Sequence, residues 1–386
     1  MICCPVCSAK DYHFISKLCS NMKILGEHFP ESDTNIVACK KCGLIYLQSL
    51  AEQQNYTEYY VSNISRPVMY YEMFGKADTD DYFAHILKNI EPFLKEPSNI
   101  LEIGSGMGEL SIYIKEHTNH SVSVLDMKDM CLEFCNEKGL TTYKNSSVDN
   151  LSFLEKTQDL IVLNHILEHI ADLKVTIQNV KMVLKDGGFV FVELPDVEGY
   201  CECAELNSPY SFLTYEHLVH FSMNDMENLF GKYGFEIVDI GKYFKKVSNY
   251  PSIWAILKKS NKIDESIKKS DNINHIDNYI EKCRSLIKSS LKDVEKSGEK
   301  LILWGIGAST AILLEDFSNC NVIQLVDNNP FRQGINYSVG ENDFIIQSPQ
   351  EVKDNEATIF IMSGPYKKSI EKQIRDMGFN NKILSF

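Results

Sequence analysis

Seven residues, Glu102-Ile103-Gly104-Ser105-Gly106-Met107-Gly108, spell E-x-G-x-G-x-G between the apolar run NILEI and the periodic run LSIYIKEH. Glycines at a strand-to-helix turn adopt backbone conformations closed to other residues and let main-chain N–H groups approach a ligand. A dinucleotide fingerprint, G-x-G-x-x-G, needs its third glycine at position 109, which is Glu109. A carboxylate there repels a pyrophosphate, so the spacing favours a nucleoside cofactor without phosphates. About twenty residues on, where an acid can hold ribose hydroxyls, the run SVSVLD ends in Asp126, followed by Met127. Asp149, in NSSVDNL, follows the third expected strand, where an adenine edge would lie, and Asn164 and His165 end the fourth. The competing reading of Asp149 is a turn or cap residue; that of His165 and His169 is packed histidines at a helix start.

Cys4-Pro-Val-Cys7 and Cys39-Lys-Lys-Cys42-Gly43 form two knuckles. Tetrahedral zinc takes four thiolates, and each Cys-x-x-Cys turn presents two. Four protein ligands leave no open position, so Cys4, Cys7, Cys39 and Cys42 point to structural Zn2+ rather than a catalytic ion. A third constellation lies in SPYSFLTYEHLVHFS. Histidine titrates near neutrality and suits proton removal from a nucleophile. His217 is the candidate base, with Glu216 orienting it or binding a hydroxyl, and Tyr215 and His220 as secondary candidates. Ser222 reads as the N-cap of the helix MNDMENLF.

The elements that must position these residues alternate. From Asn99, strands and helices succeed one another to about Tyr243: NILEIG, SVSVLDM, a short strand near TTYKN, DLIVLNHIL and GFVFVELP, with MCLEFCNEKG stopped at Gly139 and LKVTIQNVKMVLK at Gly187-Gly188. This order implies a mostly parallel, doubly wound sheet. Ile276, Tyr279, Ile280, Cys283, Ile287, Leu291 and Val294 recur at helical spacing and predict a long amphipathic connector helix. A second α/β unit opens at KLILWGIG, and VIQLVD ends in Asp327. The expected organisation is 1–62 zinc-binding, 63–255 cofactor-binding, 256–299 helical connector and 300–386 C-terminal α/β.

Composition bounds the function. The 386 residues carry a net charge of −14, with 44% hydrophobic and 24% charged residues. That balance suits a globular protein and argues against a nucleic-acid partner, whose phosphates need a basic footprint. No apolar run is long enough to span a bilayer, and MICCPVCSAK has no signal-peptide core. Twelve cysteines without such a signal suit a reducing cytoplasm. Oligomeric state stays open.

E-x-G-x-G-x-G, the ribose acid and LNHILEHIADL, spanning roughly Asn99 to Pro195, resemble the class I S-adenosylmethionine-dependent methyltransferases. With the knuckles before and the second α/β unit after, the order of parts resembles the sugar C-methyltransferases of deoxysugar biosynthesis. That resemblance implies a Rossmann-like methyltransferase domain flanked by an N-terminal zinc ribbon and a C-terminal Rossmann-like α/β domain. It implies a nucleotide-linked sugar as acceptor, with S-adenosyl-L-methionine bound by Glu102, Gly104, Ser105, Gly106, Gly108, Asp126, Met127, Asp149, Asn164 and His165. It also implies that the C-terminal domain holds the sugar's nucleotide, with Gly305, Gly307, Ser309 and Thr310 facing phosphates and Tyr366 stacking on a base. Family members commonly carry Tyr-His-Glu-His where this chain has Thr214-Tyr215-Glu216-His217. Threonine at the tyrosine position, lining the acceptor site, weighs against C-methylation of a keto sugar and keeps O-methylation open. The competing readings are methylation of another small metabolite, and a non-catalytic assembly protein with a vestigial glycine turn.

Overall fold

The computed structural model describes residues 3–19, 29–30, 32–62, 69–204, 208–245, 250–307, 310–330, 332–364 and 366–386. The chain divides into two compact units, the first made of the described residues of 1–17, 21–198 and 218–273, the second of those of 18–20, 199–217 and 274–386.

The N-terminal strands β1 (Tyr12–Cys19), β2 (Thr34–Cys39) and β3 (Ile45–Gln48) precede helix α1 (Gln53–Ser62), the short α2 (Tyr70–Phe74) and α3 (Lys76–Ile90). The alternation follows as β4 (Asn99–Ile103), α4 (Glu109–His117), β5 (Ser121–Asp126), α5 (Asp129–Glu137), β6 (Thr141–Lys144), β7 (Gln158–Asn164), α6 (Leu173–Val183) and β8 (Leu184–Pro195). After α7 (Tyr200–Cys203) come β9 (Val219–His220), α8 (Met223–Lys232), β10 (Phe235–Lys245) and β11 (Tyr250–Lys259).

Seven strands form the main sheet in the order β10-β11-β8-β7-β4-β5-β6. Strands β6, β5, β4, β7 and β8 run parallel, and β11 is antiparallel to both neighbours. A parallel sheet is buried on both faces, which is why Ile100, Leu101, Val124, Leu160, Ile161 and Val162 are all apolar and nearly inaccessible. The apolar stripe of α3, Tyr82, Phe83, Ile86, Leu87 and Ile90, packs into this core. The expected stop of α6 at Gly187-Gly188 is replaced by an earlier one. The helix ends at Val183, and the glycines lie inside β8, where the pairing register with β7 shifts between Gln158 and Leu160.

The knuckle segment belongs to the same unit. Strand β9 pairs with β3, giving a sheet β1-β2-β3-β9 that joins the N-terminus to the chain beyond β8. Buried Asp225 of α8 secures the junction. Its carboxylate accepts from Ser222 N and Oγ at 2.9 and 2.6 Å, from Ser270 Oγ at 3.0 Å and from Asn272 Nδ2 at 2.7 Å. Ser222 is the expected cap of α8. Ser270 N in turn donates to the Cys42 carbonyl at 2.8 Å. Gly43 has a positive φ of 85°, and a Cβ there would lie 2.1 Å from the Ser270 carbonyl oxygen, so only glycine fits.

In the second unit, α9 (Asn272–Ser297) leads into β12 (Lys300–Trp304), β13 (Asn321–Val326), β14 (Asn336–Val339), β15 (Asn342–Gln347), β16 (Thr358–Ile361), α10 (Lys367–Asp376) and β17 (Ile383–Ser385). Its sheet runs β14-β15-β13-β12-β16-β17, parallel except for β14. The helical stripe predicted from Ile276 to Val294 is buried throughout. Tyr279 of α9 lies edge-on to Tyr200 and Phe212, so the helix is a core element of this unit.

Replacing Asp225 with alanine leaves Ser270 and Asn272 without their buried acceptor. The expected cost is about 3 kcal/mol, read as a lower midpoint in thermal or urea unfolding; an unchanged midpoint would show that the junction does not depend on this carboxylate.

Candidate active site

The turn between β4 and α4 is built by glycine. Gly104, Gly106 and Gly108 have φ of 71°, 52° and 67°, in the region that favours glycine. A Cβ on Gly108 would also lie 2.5 Å from Cys135 Sγ. Asp126, at the end of β5, accepts from Gly106 N at 2.9 Å through one oxygen and from Lys128 N at 2.9 Å through the other. These bonds fix the carboxylate at the cavity wall with lone pairs to spare for hydroxyl donors. Burial pushes its pKa up, opposed by the backbone donors.

A cavity of about 350 Å³ opens beside this turn. Gly104, Gly106, Asp126 and Met127 line it, as do Asn145, Ser146 and Ser147 after β6 and Ile166 and His169 after β7. It sits at the carboxyl ends of the strands, where β5 and β7 diverge to opposite sides of β4, the usual ligand crevice of an open α/β sheet.

Other residues singled out in the sequence have different places. Glu102 is buried and accepts from Ser111 Oγ at 2.5 Å, tying β4 to α4; burial pushes its carboxyl up to about 7. Ser105 accepts from Gly108 N at 2.9 Å within the turn. Asp149 is exposed and accepts from Ser146 N at 2.6 Å, so it shapes the turn whose Asn145–Ser147 stretch lines the cavity. Asn164 accepts from Tyr82 Oη at 3.0 Å. His165, with φ of 53°, turns away from the cavity lining toward Glu168, Glu193 and Lys245.

Three contributions escaped the sequence reading. Gln53 and Tyr60 of α1 line the cavity. Gln53 Oε1 accepts from Ala171 N at 2.8 Å, and Tyr60 Oη lies 3.2 Å from His169 Nδ1. The tyrosine-rich composition of that segment was the available signal. Glu109 is the third. Its carboxylate accepts from Tyr70 N at 2.7 Å and Tyr71 N at 3.0 Å, joining the start of α2 to the glycine turn.

The thiols of the two knuckles converge. Cys4 Sγ lies 3.6 Å from Cys42 Sγ, Cys7 Sγ lies 3.5 Å from Cys39 Sγ, and all four sulfurs lie within 4.8 Å of one another. Sulfurs at tetrahedral corners around zinc at 2.3 Å are about 3.8 Å apart, so this set can hold such an ion. Burial pushes the Cys7 thiol up to about 11, while the hydrogen bond between Cys4 and Cys42 lowers Cys4 to about 6 and raises Cys42.

In the second unit, Thr214 and Tyr215 are buried. Glu216 N donates to Thr214 Oγ1 at 3.3 Å. His217 Nδ1 lies 3.1 Å from the Phe212 carbonyl, a contact in which the carbonyl accepts from the ring N–H. His220 is buried in β9 of the first unit, where burial holds its pKa down to about 4. Gly305 has a φ of 93° at the expected turn. The phosphate-facing donors take a different arrangement there. Gly307 N donates to Thr310 Oγ1 at 2.6 Å, and that hydroxyl donates to the Gly305 carbonyl at 2.8 Å. Of the four residues expected to face phosphates, Gly307 and Thr310 thus donate inside the turn, and Thr310 is buried. The segment beyond is a 3₁₀ stretch, Ala311–Phe317, in place of the expected helix start. Ser309 lies outside the described residues. Tyr366 is partly exposed just before α10.

Comparison with known proteins matches residues 76–240 to a family model described as a methyltransferase domain. Residues 297–384 match the C2185-like N-terminal model. No curated protein matches. Similar solved structures include an S-adenosylmethionine-dependent methyltransferase from Methanosarcina mazei, 19% identical over 46% of this chain and 98% of that one, with a TM-score of 0.37. Another is the PH0226 protein of Pyrococcus horikoshii, 17% identical over 50% and 98%, TM-score 0.39. A third is the Burkholderia thailandensis 1,6-didemethyltoxoflavin-N1-methyltransferase, solved with 1,6-didemethyltoxoflavin and S-adenosylhomocysteine, 12% identical over 64% and 100%, TM-score 0.41.

Asp126→Ala should weaken S-adenosylmethionine binding at least tenfold in titration calorimetry while leaving the circular dichroism spectrum unchanged; equal affinity would remove Asp126 from the site. With its glycine turn, its acid at the end of β5, its strand order and its matching family model, this chain is an S-adenosylmethionine-dependent methyltransferase whose methyltransferase domain covers residues 76–240.

Proposed function

We propose that the enzyme methylates a small molecule, and that the acceptor is a nucleotide-linked sugar, modified at carbon or oxygen. The observation that carries the small-molecule reading is the cavity of about 350 Å³ lined by Gly104, Gly106 and Asp126, a size suited to a compact cofactor. The sugar is supported by the order of parts along the chain: thiol knuckles, methyltransferase domain, second parallel sheet. His217 is the proposed base, supported by the 3.1 Å contact of Nδ1 with the Phe212 carbonyl, which orients the ring. Among the described residues, Asp327 and Arg332 are charged groups beside the Gly305 turn; Arg332 donates to the Ile306 carbonyl at 3.3 Å. Methylation of a non-sugar metabolite is the second reading, favoured by the engaged donors of Gly307 and Thr310. Among the described residues no helix is long and apolar enough to cross a membrane, and we place the enzyme in the cytoplasm.

Turnover of a panel of nucleoside-diphosphate sugars, keto-deoxy and fully hydroxylated, is read as S-adenosylhomocysteine release. A methylated nucleotide sugar supports the assignment, and turnover confined to free metabolites contradicts it. On the accepted substrate, His217→Ala should lower kcat at least a hundredfold with near-normal cofactor affinity; unchanged kcat removes His217 from the mechanism.

We further propose that Cys4, Cys7, Cys39 and Cys42 hold one structural zinc ion. Elemental analysis should find one zinc per chain. Cys39→Ser should lose the metal and lower the unfolding midpoint; a metal-free wild type with the same midpoint would contradict the assignment.

A further inference from the structure

One buried ionic cluster has no part in the site as described so far. Lys245, the last residue of β10, has a side chain only 10% exposed. Its Nζ lies 3.9 Å from the ring centre of Tyr82, 5.3 Å from that of Tyr70 and 5.4 Å from that of Tyr250, a cage of tyrosine faces that attracts a cation. Nζ is also 3.0 Å from His165 Nε2 and 3.8 Å from Glu193 Oε1. His165 Nδ1 lies 3.3 Å from Glu168 Oε1, and the side chains of Glu168 and Glu193 are 1% and 0% exposed. Glu193 also accepts from Tyr82 Oη at 3.0 Å.

The cluster occupies the same sheet edge as the cofactor cavity. His165 follows the last residue of β7, and Glu193 is near the end of β8. Ile166, next in the chain to His165, lines the cavity together with His169. The cage wall is tied to the cofactor turn, because Glu109 holds Tyr70 by its backbone N–H. His169 of the cavity lining lies 4.0 Å from Glu168, which links the cavity to the cluster, so a sulfonium bound there adds positive charge at the same sheet edge, in a buried setting that screens charges weakly.

We propose that Lys245 is a proton-handling group of the methyl-transfer site: it gives up its proton when the sulfonium cofactor binds and regains one when the methyl group leaves. The charge balance supports this. With cofactor bound, the positive charge sits on sulfur and Nζ carries a lone pair. In transfer, the acceptor atom bonds to the methyl carbon and the S–CH3 electron pair goes to sulfur. The proton shed by the acceptor ends on Nζ, whichever group first removes it, so the site holds one cation before and after. Burial pulls the ammonium down to about 8, against the opposing charges of Glu193 and Glu168, so little further repulsion is needed to discharge it near neutral pH. In the ligand-free site the pKa of Glu193 is held down: burial raises it, but the His165 hydrogen bond and the Lys245 charge outweigh that. Among the described residues, the groups facing Lys245 are His165, Glu168, Glu193, Tyr70, Tyr82 and Tyr250.

The inference rests on the methyltransferase assignment, and the test separates the two. Binding of S-adenosylmethionine and of S-adenosylhomocysteine is measured calorimetrically at pH 7.5 in phosphate and in Tris, whose ionisation enthalpies differ. The sulfonium should release a fraction of a proton more than the neutral thioether. Its affinity relative to the thioether should rise severalfold from pH 7 to 9, because deprotonation removes the repulsion. Lys245→Met should abolish both differences while still binding S-adenosylhomocysteine. Equal proton release for the two ligands in the wild type, or a difference that persists in Lys245→Met, would overturn the proposal and leave the methyltransferase intact. No binding of S-adenosylmethionine would overturn both.

Discussion

The hydrogen bond from Gly106 N to Asp126 holds the cofactor site together. Three glycines with positive φ in five residues carry the chain from β4 into α4 in a turn closed on itself by the Gly108 N–H bond to the Ser105 carbonyl. The carboxylate at the end of the neighbouring strand ties that turn to β5. That acid must be buried to reach the turn, so burial raises its pKa and backbone donors must compensate. The parallel pairing of β4 with β5 sets where the acid stands, and the apolar layers on both faces keep the pairing fixed.

Acids do structural work around that turn and shape what it can bind. Glu102 ties β4 to α4 through Ser111. Glu109 anchors α2 and thereby Tyr70. Neither carboxylate lines the cavity, yet Glu109 places acidic character behind the glycines, and Glu102, its carboxyl pushed up to about 7, adds to it only as it ionises. A pyrophosphate meets repulsion there, whereas a cationic sulfonium nucleoside is attracted. The exclusion of a dinucleotide from the position of Glu109 alone thus has a structural counterpart: the residue that breaks the fingerprint serves as a helix anchor.

Much of the methyltransferase domain was legible because its signals are local. Glycine spacing, strand-end acids and the 3.6-residue stripe of α9 each depend on neighbours in the chain. The structure departs from that reading where side chains choose partners far away. Asp149 fits an adenine-edge position by spacing, but its carboxylate closes its own turn. Thr310 fits a phosphate position, but its hydroxyl is drawn inward by Gly305 and Gly307. Gln53 and Tyr60 were invisible as site residues because α1 precedes the glycine turn by some fifty positions and meets the cavity only through tertiary packing. Lys245 was hidden for the same reason: a lysine at a strand end reads as solvated, and only the fold encloses it among tyrosines.

A co-crystal structure with S-adenosylhomocysteine bears most directly on the central claim. The account predicts the ribose hydroxyls on the Asp126 carboxylate, the adenine against Asn145–Ser147 and the amino-acid portion over Gly104 and Gly106. A ligand bound elsewhere, or one that leaves Asp126 still paired only with Gly106 and Lys128, would contradict it.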